Sequence, residues 1–159
     1  MLVTFAKKES GRDVMTCTRD DGSVTWTELW PGFGGEHDLT HYAVESVLGY
    51  TDAFFGMLAR GRDIDSFGTR DGVRDTYSYE ETWAEHIVGT LQFSQSGDAG
   101  LSYDAFCEAL SIAGQQYQLD PPVISAETLR DIRARITELV TAWRGLPRGE
   151  QIYLPFPPA

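Results

Sequence analysis

Two of the chain's three histidines, His37 and His41, stand four residues apart in the run "GGEHDLTHYAVESVLG", with Glu36, Asp38 and Glu45 before, between and after them. Residues four apart on an α-helix point the same way one turn apart, so two imidazoles at this spacing can converge on one metal ion. Zinc-protease helices place a glutamate general base directly after the first histidine; Asp38, one methylene shorter, holds that place here. At about 100° per residue, the apolar side of the helix carries Leu39, Ala43, Val44, Val47 and Leu48, with His37 and His41 on its margin. The same phase turns Asp38 and Glu45 further round, towards solvent or a cleft. Glu45 lies about 12 Å along the axis from His37 at about 1.5 Å per residue, so both cannot hold one ion without strain. Its expected place is beside His41, orienting the free ring nitrogen or joining the ion at longer reach.

A third ligand must come from another element. His86, in "YEETWAEHIVG", flanks an apolar face beside Trp83 and Thr90 and is the first candidate; Glu81 is the second, and Glu85 the third because its phase is outward. Histidines with a carboxylate and an open position suit zinc, iron, manganese or nickel. The expected chemistry is that of a divalent ion acting on a small-molecule substrate, with hydrolysis the generic case and Asp38 or Glu45 moving the proton. The competing reading is a non-catalytic, acidic interaction protein whose histidines are structural or hold a structural ion.

The stretch "HDLTHYAVESVLG" with "FFGMLARG" resembles a segment of small bacterial proteins of no established function, and that resemblance implies only that this helix matters. "HDLTH" is also similar to the HDxxH motif of Coq4-type ubiquinone-biosynthesis proteins, which are thought to hold a metal with a glutamate twelve residues past the second histidine. The corresponding residue here is Ala53. What this second resemblance implies is therefore limited to the compatibility of an aspartate after the first histidine with metal ligation.

The elements that must position these residues are readable from pattern. The chain has 159 residues, 42% of them hydrophobic, enough for one domain over 1–159 with one core. Residues 1–30 read as a β-meander: "LVTFAKK", "DVMTCTR" and "VTWTELW", separated by Gly-containing turns. Residues 36–145 read as a helical layer of about five helices, and 150–156 as a possible return strand. Within that layer "SYEE" at Ser78 is a capping box, Ser102 and Ser125 are further caps, and Arg62 to Tyr77 reads as a long loop. The expected fold class is α+β, a three-stranded antiparallel meander packed against helices.

The net charge of −11 opposes phosphate backbones and anionic membrane surfaces, so nucleic acid and membrane are not expected partners. Cys17 and Cys107 form no CxxC pair and read as reduced thiols. With no apolar run of the roughly 18 residues a span needs, and no leader pattern at Met1, a cytoplasmic protein is expected. The two exposed-looking sheet edges leave the oligomeric state open.

Overall fold

Strands β1 (Leu2–Ala6), β2 (Val14–Thr18) and β3 (Val24–Glu28) form the N-terminal meander in a computed structural model that describes residues 1–67, 77–94 and 100–157. Helices α1 (Gly34–Leu48) and α2 (Phe54–Ala59), a 3₁₀ turn (Ile64–Phe67), and helices α3 (Tyr79–Ser94), α4 (Tyr103–Tyr117) and α5 (Ala126–Gly145) follow, before strand β4 (Gln151–Pro155). The sheet order is β3-β2-β1-β4 and every pair is antiparallel. A three-stranded sheet would be marginal alone. The return strand completes it by pairing along β1, Leu2 opposite Pro155 and Phe5 opposite Ile152. The Tyr42 hydroxyl donates to the Pro155 carbonyl at 2.8 Å and ties that strand to α1.

Strand alternation sends Val3, Phe5, Met15, Cys17, Thr25 and Leu29 into the interior under the helices. The opposite face stays in solvent. Val24, Trp26 and Trp30 share one face of the third run by alternation, and that face is the outer one, with Trp30 77% exposed. Among the large aromatics, Phe55 and Trp83 are core, Trp26, Trp30 and Phe33 are exposed, and Phe54 is partly buried.

The helical layer is held at its caps. Ser102 Oγ accepts the Ala105 N–H and Ser125 Oγ the Thr128 N–H. At the start of α3 the capping box closes in both directions at 3.0 Å, Glu81 N–H to Ser78 Oγ and Ser78 N–H to Glu81 Oε2. Helix α5 buries one stripe, Leu129, Ile132, Ile136, Leu139, Val140 and Trp143. Helix α1 differs, because it packs on α5, α3 and α2 together. Its close approach to α5 needs Gly35, where a Cβ would stand 2.6 Å from the Trp143 indole nitrogen. Arg144 then grips Glu36 with two hydrogen bonds of 2.8 and 2.6 Å. Gly49 ends α1 in the left-handed conformation, φ 67°, which costs glycine little.

Of the long loop expected over Arg62 to Tyr77, Ile64–Phe67 is a 3₁₀ turn and residues 68–76 lie outside the described residues; of "SQSGDAG" (94–100), whose composition breaks the helical pattern, residues 95–99 lie outside them too. Both cysteines are free thiols. Among the described residues no helix is long and apolar enough to cross a membrane.

Candidate metal centre

Helix α1 turns His37, Asp38 and His41 towards α3, which answers with Glu81, Ala84 and Glu85. Phe54 of α2, Phe67 of the 3₁₀ turn and Tyr77 complete a pocket of about 260 Å³. One ligand atom from each of His37, His41 and Glu85 lies within 4.8 Å of the others. His41 Nε2 and Glu85 Oε2 are already 3.6 Å apart. The two imidazoles meet edge to face, their centroids 4.7 Å apart, and Phe33 stacks on His37. His41 is buried, His37 half-buried, and the Glu85 side chain is 59% exposed.

Behind the rings sits a polar layer. His37 Nδ1 is 3.2 Å from Gln92 Oε1, Gln92 Nε2 donates to Thr40 Oγ1 at 3.5 Å, and the Thr40 hydroxyl donates to the Glu36 carbonyl at 2.7 Å. Glu45 is fully buried, its Oε2 accepting the Phe55 N–H at 2.8 Å in the first turn of α2. Its Oε1 lies 3.6 Å from His41 Nδ1.

Charge follows from this arrangement. Burial, aided by the neighbouring His41, pulls the His37 imidazole below its ordinary value, although Gln92 and Glu85 oppose it. Burial would also lower His41, but Glu45 and Glu85 outweigh it and push that group up to about 9. Burial pushes the Glu45 carboxyl up, against the pull of His41 and of the Phe55 and Gly56 N–H groups. Asp38 is pushed up to about 6, chiefly by burial; His41 opposes that rise and Glu85 adds to it. A carboxyl held near neutrality in a pocket wall is suited to proton transfer.

The residues singled out in the sequence divide as follows. His37, Asp38, His41 and Glu81 all line the pocket, but Glu81 turns an oxygen to the Ser78 N–H. His86 stands on another side of α3, its ring 4.7 Å from Tyr117 and 5.9 Å from Trp83. The carboxylate brought to the histidine pair is Glu85, ranked third on phase. Glu45, expected towards solvent or a cleft, is instead enclosed between α1 and α2. Both outcomes have one cause: α1 and α3 are covered on more than one side, so a single apolar arc does not mark all that is inward. Gln92 was not singled out. The available signal was its spacing, seven residues after Glu85 and so on the same side of α3.

Compared with known proteins, the chain matches no family model, no curated protein and no solved structure.

Proposed function

We propose that this protein binds a divalent metal ion through His37, His41 and Glu85 and uses it on a small-molecule substrate, with hydrolysis the reaction class that the surroundings support best. The supporting observation is the convergence of two imidazoles and a carboxylate within 4.8 Å on the wall of an accessible pocket. Donors on a tetrahedral ion at about 2.0–2.1 Å stand roughly 3.4 Å apart. The His41–Glu85 distance of 3.6 Å already approaches that spacing, and rotation of the exposed Glu85 side chain brings the set together. Two imidazoles and one carboxylate suit zinc, iron, manganese or nickel, and a three-ligand site keeps a position for water or substrate.

A bound ion would supply Lewis acidity and a water of lowered pKa. The protein supplies the rest. Asp38, half-buried beside the ligands, takes the proton from the attacking water and returns it to the leaving group. Phe54, Phe67 and Tyr77 offer apolar surface to a substrate that the small pocket volume keeps small.

The test is metal content of the untagged protein by inductively coupled plasma mass spectrometry, after equilibration with zinc, iron, manganese or nickel. Near-stoichiometric metal is expected in the wild type and in His86→Ala, with loss in His37→Ala/His41→Ala and a weakened site in Glu85→Ala. Asp38→Asn should retain the metal while lowering metal-dependent hydrolysis of 4-nitrophenyl acetate by about 100-fold. Wild-type protein that takes up none of the four metals would sink the proposal.

A further inference from the structure

The geometry points to Glu45 and Gln92 as a pair of positioning residues that hold both imidazoles in one tautomer, Nδ1 protonated and Nε2 left as the ligand atom. The inference deepens the metal reading of His37 and His41 and rests on it, but what carries it is the polar layer behind the rings rather than the cluster in front of them.

The first lock is set by a chain of directions. The Thr40 hydroxyl commits its one proton to the Glu36 carbonyl, so it offers only lone pairs to Gln92. Gln92 therefore turns its NH₂ to Thr40 and its oxygen to His37. An amide oxygen can only accept, so His37 Nδ1 carries the proton and Nε2 the lone pair.

The second lock is a buried carboxylate. Glu45 Oε2 is taken by the Phe55 N–H, leaving Oε1 facing His41 Nδ1 at 3.6 Å. That is a few tenths of an ångström beyond hydrogen-bond length, and a small rotation of the ring closes it. Among the described residues neither atom has a hydrogen-bond partner, and both are enclosed. Buried polar atoms pair where they can, and each of these has the other as neighbour. His41 then presents Nε2 to Glu85.

Glu45 is thus no proton carrier for a substrate, being wholly buried and absent from the pocket wall. It acts through His41. It also joins the ring to the first turn of α2, the helix whose Phe54 lines the pocket. An imidazole that ligates through one nitrogen and donates through the other to a carboxylate or carbonyl is the usual construction behind metal-bound histidines.

Exchange of glutamate and glutamine gives opposite expectations at the two locks. In Glu45→Gln the side-chain oxygen must still accept the Phe55 N–H, so the NH₂ turns to His41 and forces Nδ1 to accept. The ring proton moves to Nε2, and zinc affinity is expected to fall 10- to 100-fold. Gln92→Leu, which removes the acceptor behind His37, should weaken zinc about 10-fold. Gln92→Glu keeps an acceptor there and should bind within about threefold of wild type.

The deciding experiment is a long-range ¹H–¹⁵N correlation spectrum of the histidine rings in the full chain, metal-free and with zinc, beside zinc titrations of the three variants. In the metal-free protein above about pH 9, where His41 has lost its second proton, both Nδ1 atoms are expected to be protonated and both Nε2 atoms bare, with zinc on Nε2 of both rings after loading. An unprotonated Nδ1 on either ring, zinc on Nδ1, or Glu45→Gln binding zinc as well as wild type would overturn the assignment. Failure of the wild type to take up metal would sink the metal reading separately, because the metal-free spectrum reports the tautomers by itself.

Discussion

Replacing Glu45 by leucine tests whether the centre stands on a buried, mutually dependent pair. The substitution leaves a comparable volume but removes the acceptor of the Phe55 N–H and the partner of His41 Nδ1. An amide N–H left buried and unpaired costs about 1–3 kcal/mol, and breaking a buried charged pair from one side costs about 3–5 kcal/mol in all. At about 2–4 °C per kcal/mol for a chain of this size, Glu45→Leu should melt about 6–20 °C lower. His41→Leu should cost less, about 1–3 kcal/mol, because the Glu45 carboxyl can take up a proton and still accept from Phe55. The double variant strands neither group against the other. Its cost should fall short of the sum of the singles by about 0.5–3 kcal/mol, the range found for residues in one network. Urea denaturation in the presence of a chelator measures all four proteins, with an unchanged dependence on urea confirming comparable folded and unfolded states. Additivity within about 0.5 kcal/mol would refute the pairing of His41 with Glu45 and remove the ground for treating Glu45 as a positioning residue.

Three further outcomes follow from the fold. Burial pushes the Cys17 thiol from its ordinary value of 9.0 up to about 12, so at pH 8 a thiol reagent should modify the partly buried Cys107 in native protein and reach Cys17 only after denaturation. The folded state holds that proton more tightly than the unfolded chain, so the associated stability is complete below pH 9 and is lost as pH rises from about 9 to 12, at up to about 1.4 kcal/mol per pH unit. Urea melts of Cys17→Ala across that range should lack this component of the slope, and an identical slope would exclude it. Ser78→Ala opens the capping box at the start of α3 and should cost about 1 kcal/mol in the same assay, whereas Ser78→Thr, which keeps the hydroxyl, should lose less; equal losses would show that the hydroxyl is not the stabilising group.

How far the sequence reveals this molecule depends on how many sides of an element are covered. Helix α5 is covered on one, and its stripe from Leu129 to Trp143 is the stripe the three- and four-residue steps predict. The caps at Ser78, Ser102 and Ser125 are local chemistry between residues three apart, so they too are legible without a fold. The meander and the return strand follow from alternation and turns, although alternation alone does not say which face is covered, and Trp26 and Trp30 lie on the solvent side. Helices α1 and α3 sit in the middle of the layer. There a polar residue facing a second neighbour looks, in a hydropathy pattern, the same as one facing water. Glu45 is wholly buried at a phase that reads as outward, Glu85 reaches the histidine pair from an outward phase, and His86 spends its apparently inward phase on Tyr117. The histidine spacing identifies where two donors converge, because four residues make one helical turn regardless of what surrounds it. The third donor and the two acceptors behind the rings depend on how α1, α2 and α3 meet. Interior polar groups need partners from across the core, so the part of the centre hidden from sequence reasoning is the part built between elements.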